Sequence, residues 1–323
     1  MRREVMEYFE LTRPFQRVGY FETEHHQELL AELDREIRQG GLVVLSGIVG
    51  CGKTTLLQKL QENLSESKSI IVSRSLAVDK ERVNLTTLMT AMFYDLATEK
   101  DIKIPTQAEK RERRLIALIQ KRKQPIALFV DEAHDLHHQT LVKLKRLIEL
   151  VRQNNSTLAV MLAGHPKLKN ELRRPQLEEI GARAAILSLQ GIQGQQRDFI
   201  LWLLAQCVSE KNVPTDLLSE EAIALLAERL RTPLQIEQYL NAALEEAYKA
   251  GQKPVGAEIV EMILFRGLDD LEPKLIRHGY NAKVIAHLLN VRPGMVRSFM
   301  QGQLPPSQTQ DLREQMLKMG IPV

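Results

Sequence analysis

Five short apolar runs punctuate the first 190 residues of the chain. They fall at 42–46, 69–73, 125–130, 157–163 and 184–189. Each is short, rich in Val, Ile, Leu and Ala, and bounded by turn-forming or charged residues, which is the pattern of buried strands. Helix-period stretches alternate with them, so the order predicts a parallel sheet covered by helices on both faces. Ahead of the first strand, residues 24–39 carry helical periodicity closed by Gly40-Gly41. After Leu189 the strand pattern stops. Residues 193–211, 217–231, 233–250 and 256–266 have amphipathic helical spacing, and the segment from about 270 onward forms a further helical block. The expected organisation is an α/β domain over residues 1–190, a helical domain over 191–268 and a basic helical unit over 269–323.

The first strand runs into Gly47-Ile48-Val49-Gly50-Cys51-Gly52-Lys53-Thr54, and a helical stretch follows at once. This is the phosphate-loop pattern in the strand–loop–helix context that it requires. Its glycines let backbone N–H groups turn toward phosphates at a helix N-terminus. Lys53 adds a point charge, and the Thr54 hydroxyl is a Mg²⁺ ligand. The nucleotide-binding residues are therefore expected to be Gly47, Val49, Gly50, Cys51, Gly52, Lys53, Thr54, Thr55 and Asp131, with ATP and Mg²⁺ as cofactors. Cys51 is either a small filler or a redox-sensitive thiol.

The third strand, Ile126-Ala127-Leu128-Phe129-Val130, ends in Asp131-Glu132. An Asp at that end can hold Mg²⁺ together with Thr54, and the next carboxylate, Glu132, can polarise an attacking water. The fourth strand ends in Gly164-His165-Pro166. In open α/β sheets the carboxyl ends of strands face the ligand crevice, so His165 is a candidate sensor of the terminal phosphate or a plain loop histidine.

Bulk composition narrows the class. The 323 residues are 44% hydrophobic and 26% charged, with two cysteines and a net charge of +3. These values fit a soluble globular protein of two or three domains without a disulfide framework. No apolar run reaches 18 residues and the N-terminus lacks an apolar signal core, so a cytoplasmic protein with no membrane span is expected. The charge is uneven. Residues 273–323 hold seven basic and two acidic side chains, a net of +5, which leaves −2 for the remainder. A basic end suits contact with nucleic acid.

Three further segments carry alternatives. The aromatics at Tyr8-Phe9, Phe15 and Tyr20-Phe21 suit either stacking on a nucleotide base or a hydrophobic strap. Residues 103–123 carry a net +6, including Lys110, Arg111, Arg113 and Arg114, on a helix with one apolar face. That surface is either solvated or tracks phosphates, as are Arg74, Lys80 and Arg82 after the second strand. Residues 281–300 read as a helix, a turn at Leu289-Asn290-Val291 and a second helix from Pro293, with small Ala286 at the crossing. Helix-turn-helix units share this spacing, and Lys283, Arg292 and Arg297 are its candidate DNA contacts. A generic helical hairpin has the same spacing.

The order of these parts resembles an AAA+ ATPase: a five-stranded parallel P-loop NTPase sheet with a helical lid. Within that group the chain is similar to the bacterial branch that holds the transposon target-selector ATPases (TnsC, MuB and IstB type) and the secretion-linked ExeA type. The likeness is carried by Tyr8-Phe9-Glu10-Leu11, Gly47 to Thr55, Val130 to His134 and Leu162 to Leu168. It implies ATP hydrolysis and a homo-oligomer, ring or filament, in which an arginine of one subunit completes its neighbour's site. Arg183 is the position that carries over, with Arg173 and Arg174 as competitors. At the lid the chain departs from the ExeA pattern Gly-x-Pro-Arg, since Arg231-Thr232-Pro233-Leu234 stands there; Arg231 or Gln235 is left as the substitute sensor. The resemblance implies an ATPase that binds duplex DNA and recruits a transposase. The alternatives are a secretion-assembly ATPase, which would be expected to carry a membrane span and a peptidoglycan-binding region, and another DNA-handling switch such as an initiator or loader.

Overall fold

The computed structural model describes residues 1–75, 83–97, 103–208, 213–265 and 271–323. In chain order its elements are α1 (Arg3–Tyr8), α2 (Glu24–Gln39), β1 (Gly41–Ser46), α3 (Lys53–Ser67), β2 (Ile71–Arg74), α4 (Leu85–Leu96), α5 (Ala108–Arg122) and β3 (Ile126–Val130). Then come α6 (His138–Gln153), β4 (Leu158–Gly164), α7 (Pro166–Leu172), α8 (Glu178–Gly181) and β5 (Ala185–Ser188). The remainder is helical: α9 (Gln196–Cys207), α10 (Glu220–Arg229), α11 (Pro233–Ala250), α12 (Ala257–Phe265), α13 (Leu271–Arg277), α14 (Ala282–Leu289), α15 (Pro293–Met300) and α16 (Pro306–Lys318). Among the described residues no helix is long and apolar enough to cross a membrane.

The strands pair in the order β2-β3-β4-β1-β5, every pair parallel. Every residue of β3 and β4 is buried, which is why both read as unbroken apolar runs rather than alternating ones. Register matters for the chemistry. Ser46 stands opposite Gly164, and Val130 opposite Leu162, so β1 and β4 end level and β3 ends two residues earlier at the same edge. The helices that cover the sheet bury their apolar stripes; α2, for example, buries Leu29, Leu30, Leu33 and Ile37 at helical spacing.

Two compact units emerge. One comprises residues 24–47 and 53–189, the sheet and its helices. The other comprises residues 1–23, 48–52 and 190–323. The N-terminal strap thus belongs with the helical unit, not with the α/β domain to which its place in the sequence would assign it. Phe9 and Phe15 are fully buried there in one core with Phe199, Leu203 and Leu240. Phe21 packs edge-on to Phe199 at 5.4 Å, and Tyr8 likewise to Tyr248 at the same separation. Burial of this kind is worth roughly 1.5–3 kcal/mol for a Phe side chain. It settles the strap in favour of packing: Phe9 and Phe15 have no face left for a nucleotide base.

In the second unit α11 spans its expected 233–250 and α10 is shorter than its expected 217–231, because caps rather than apolar spacing set its ends. Ser219 caps α10 by accepting from the Ala222 N–H, and α10 stops at Arg229 before the extended Leu230. At α11, Thr232 and Gln235 form a reciprocal capping box, Pro233 occupies the first helical position, and Gly251 closes the end with φ of +65°. The block from α13 to α16 has its own small core of Leu275, Tyr280, Ile285, Ala286, Val296, Phe299, Leu312 and Met316.

Candidate active site

The strand ends and the two flanks of the phosphate loop, Gly47 and Lys53-Thr54, bring the expected chemistry together in the sheet unit. The Lys53 side chain is buried, and its Nζ donates to the Gly47 carbonyl at 2.9 Å. Gly47 N–H donates to the Gly164 carbonyl at 3.1 Å, tying the loop's first residue to the end of β4. Thr54 Oγ1 donates to Asp131 Oδ2 at 2.8 Å, so the first turn of α3 meets the end of β3. A hydroxyl and a carboxylate at this separation form an all-oxygen donor pair of the kind that a hard divalent cation takes. Asp131 Oδ1 accepts from the Glu132 N–H at 2.8 Å. Glu132 itself has φ of +56°, a left-handed conformation uncommon outside glycine. Strained backbone of this kind concentrates at functional sites.

Next to Glu132 lie two histidines. His165, which precedes α7, stacks on His134 with ring centroids 3.7 Å apart. Glu132 Oε2 is 3.5 Å from His134 Nδ1 and 3.8 Å from His165 Nε2. His134 titrates below the usual histidine range: burial pushes it down, Asp135 and Glu132 oppose the shift, and Lys167 and Lys53 add to it. Near neutral pH the ring is therefore uncharged. Gly164 is what allows this closeness. A Cβ there would lie 3.1 Å from both the His134 backbone nitrogen and Leu168 Cδ2.

Within the other unit the loop's middle residues have neighbours of their own. Gly50 has φ of +78°, and a Cβ on it would lie 2.5 Å from Leu234 Cβ, so only glycine fits beside the start of α11. Cys51 is fully buried, the filler its size suggests. Val49 N–H donates to the Arg277 carbonyl at 2.9 Å, so the end of α13 touches the loop. A cavity of about 350 Å³ there is lined by Ile48, Arg229, Arg231, Lys274, Arg277 and His278, among others. Gln235 also lines it, but the Gln235 Oε1 accepts from the Arg231 and Thr232 N–H groups. Its carbonyl thus caps α11, and the Arg231 side chain is exposed.

A family profile for the AAA domain matches residues 35–172, which span β1, the phosphate loop, the Asp131-Glu132 strand end and β4. The fold is that of a P-loop NTPase, and the AAA-domain match lies within it. The chain is 32% identical over 164 residues to the general secretion pathway protein A of Aeromonas hydrophila. That match covers 50% of the chain and 29% of the relative, so the chain spans less than a third of that relative's length. Among solved structures, the ORC2 protein of Aeropyrum pernix, in ADPNP–ADP complexes, superposes with a TM-score of 0.60 at 13% identity, covering 96% of this chain and 90% of that one. Cdc6p of Pyrobaculum aerophilum gives 0.56 at 18%, covering 98% and 84%. The A. pernix ORC1 protein in complex with DNA gives 0.51 at 14%, covering 93% and 85%. At these identities the likeness is one of fold. It agrees with the five-stranded parallel P-loop NTPase sheet expected from the sequence.

The remaining candidate residues scatter. Arg183 is exposed on the approach to β5 and pairs with Glu149 at 3.3 Å and Glu179 at 3.7 Å. Lys110, Arg113 and Arg114 are exposed on α5, whereas Arg111 is half-buried and turns inward. Its guanidinium donates to the Thr86 hydroxyl at 3.1 Å and to the Thr106 and Pro105 carbonyls, which makes it a brace between α4 and α5, not a DNA-facing cation. Arg74 is exposed at the end of β2; Lys80 and Arg82 lie outside the described residues. Lys283, Arg292 and Arg297 all reach the surface on or beside α14 and α15. His134 carried no role in the sequence. It lies two positions after Glu132 along the chain, and only the fold sets it against His165.

Proposed function

We propose that this protein is an ATPase that binds duplex DNA, assembles on it as a ring or helical filament, and recruits or activates a transposase. The observation that carries the proposal is the pair α14–α15. Asn281 caps α14 through the Val284 N–H, Asn290 turns the chain with φ of +54°, and Pro293 starts α15, with buried Ala286 between the two helices. Arg292 and Arg297 stand at the surface on the second helix and its cap, where a recognition helix presents its base and phosphate contacts.

Each residue then has a role in the ATP cycle. The loop amides and Lys53 hold the phosphates. Thr54 and Asp131 hold Mg²⁺, which when bound neutralises charge on the β- and γ-phosphates. Glu132 takes a proton from the attacking water. His165 contacts the γ-phosphate, and Arg183 reaches the site of a neighbouring subunit, which couples nucleotide state to assembly. The exposed pairs of Arg183 with Glu149 and Glu179 are weak in water and release the guanidinium at little cost.

The 32% identity to a general secretion pathway protein favours a second reading, a secretion-assembly ATPase. Duplex-DNA binding by the full chain separates the two. With ATP present, Arg292→Ala with Arg297→Ala should weaken binding and reduce the slope of log affinity against log salt by about one unit for each phosphate no longer neutralised. No DNA binding by the parent chain under any nucleotide condition would favour the secretion reading.

A further inference from the structure

We propose that Glu132, His134 and His165 form a binding site for a borderline transition-metal ion, Zn²⁺ above all, separate from the Thr54–Asp131 oxygen pair. The side-chain donors of these three residues lie within 4.8 Å of one another. Both imidazoles approach the same carboxylate oxygen: Glu132 Oε2 is 3.5 Å from His134 Nδ1 and 3.8 Å from His165 Nε2. Around a tetrahedral ion with ligand bonds of about 2.0–2.2 Å, donors stand roughly 3.4 Å apart, close to these separations. Two imidazoles and one carboxylate also form the ligand set that zinc takes when a fourth position stays open. The Thr54–Asp131 pair offers oxygen alone and suits Mg²⁺.

A second observation points to a ligand. His134 Nδ1 is buried and has no hydrogen-bond partner, with only 9% of the side chain exposed. A buried ring nitrogen left without a partner costs free energy, and an ion between it and Glu132 removes that cost. His165 and Glu132 are 14% and 31% exposed, so the cluster is shielded from water yet open to an entering ion. The stacked rings need only turn toward edge-on for their lone pairs to converge beside Oε2. The ion would then occupy the oxygen that serves as base in the proposed function. On that reading, Zn²⁺ stops hydrolysis while Lys53 and the loop still bind nucleotide, making the site inhibitory.

The test uses the full chain, stripped of metal by a chelator and free of nucleotide and DNA, so its outcome does not depend on either activity. Calorimetric titration with Zn²⁺ should show one tight ion per chain, and Co²⁺ should give the visible bands of a low-coordinate nitrogen–oxygen site. His134→Asn and His165→Gln should each weaken Zn²⁺ by about tenfold or more and abolish the Co²⁺ bands. Replacing the exposed neighbours His137 and His138 with Gln should leave both signals in place. Circular dichroism checks each variant, and the more exposed His165→Gln decides if His134→Asn fails to fold. Unchanged Zn²⁺ affinity in a folded His165→Gln chain, loss of binding in the His137/His138 variant, or no tight ion on the parent chain would each overturn the proposal while leaving the ATPase assignment standing. Zn²⁺ should also slow hydrolysis without displacing a fluorescent ATP analogue; displacement in parallel with inhibition would place the ion elsewhere.

Discussion

Thr54 Oγ1 donates to Asp131 Oδ2 at 2.8 Å, joining residues 77 positions apart. The bond exists because β1 and β3 flank β4 in register and end at one edge, so the first turn of α3 faces the end of β3. Lys53, one residue earlier, is buried against the Gly47 carbonyl. Lys53→Ala should therefore abolish ATP binding, because the phosphates are deprived of their main point charge. Thr54→Val should retain nucleotide binding without Mg²⁺ but lack the tightening that Mg²⁺ brings. Equilibrium titration with a fluorescent ATP analogue, with and without Mg²⁺, measures both; parent-like affinity in Lys53→Ala would contradict its role.

Glu132 separates hydrolysis from binding. Glu132→Gln should bind ATP as the parent does and hydrolyse it about 10²–10⁴-fold more slowly, the usual cost of removing a general base. Phosphate release in single turnover is the readout. A parent-like rate would remove Glu132 from the chemistry.

The sheet was legible because buried parallel strands leave unbroken apolar runs, and the phosphate loop because its glycines and Lys53 act locally. All five strands lie within two residues of their expected positions. Features made by distant parts of the chain were not legible. Nothing in the spacing shows that Phe9 and Phe15 pack with Phe199 in the helical unit, or that His134 stacks on His165. Arg111 shows the same limit. It looks like its basic neighbours along α5, and only the carbonyls of residues 105 and 106 and the Thr86 hydroxyl turn it inward.

That difference within α5 is testable. Neutralising Lys110, Arg113 and Arg114 should weaken DNA binding similarly for all sequences and reduce the salt slope by about one unit for each phosphate left without its cation. Arg111→Ala should instead lower thermal stability, since it removes three hydrogen bonds and leaves their acceptors bare. Unchanged salt slopes in the triple variant would return α5 to a solvated face. An unchanged melting temperature in Arg111→Ala would remove its bracing role.

A chain ending at Gly267 tests the C-terminal helices. It retains Lys53, Thr54, Asp131 and Glu132 and should still bind ATP, although it lacks the Arg277 carbonyl that accepts from the Val49 N–H. Its DNA affinity should fall, together with part of the salt slope. Intact DNA binding combined with failed recruitment of a transposase would make α13–α16 a partner-docking unit. Normal DNA binding, assembly and recruitment would make it dispensable.

Assembly on DNA is the central claim, and electron microscopy of the Glu132→Gln chain with ATP and duplex DNA tests it most directly. This variant holds ATP without consuming it, so the assembled state should persist. Rings or helical filaments on DNA that require ATP, and that Arg183→Ala disrupts, are the expected result. Monomers in every nucleotide and DNA condition would contradict it.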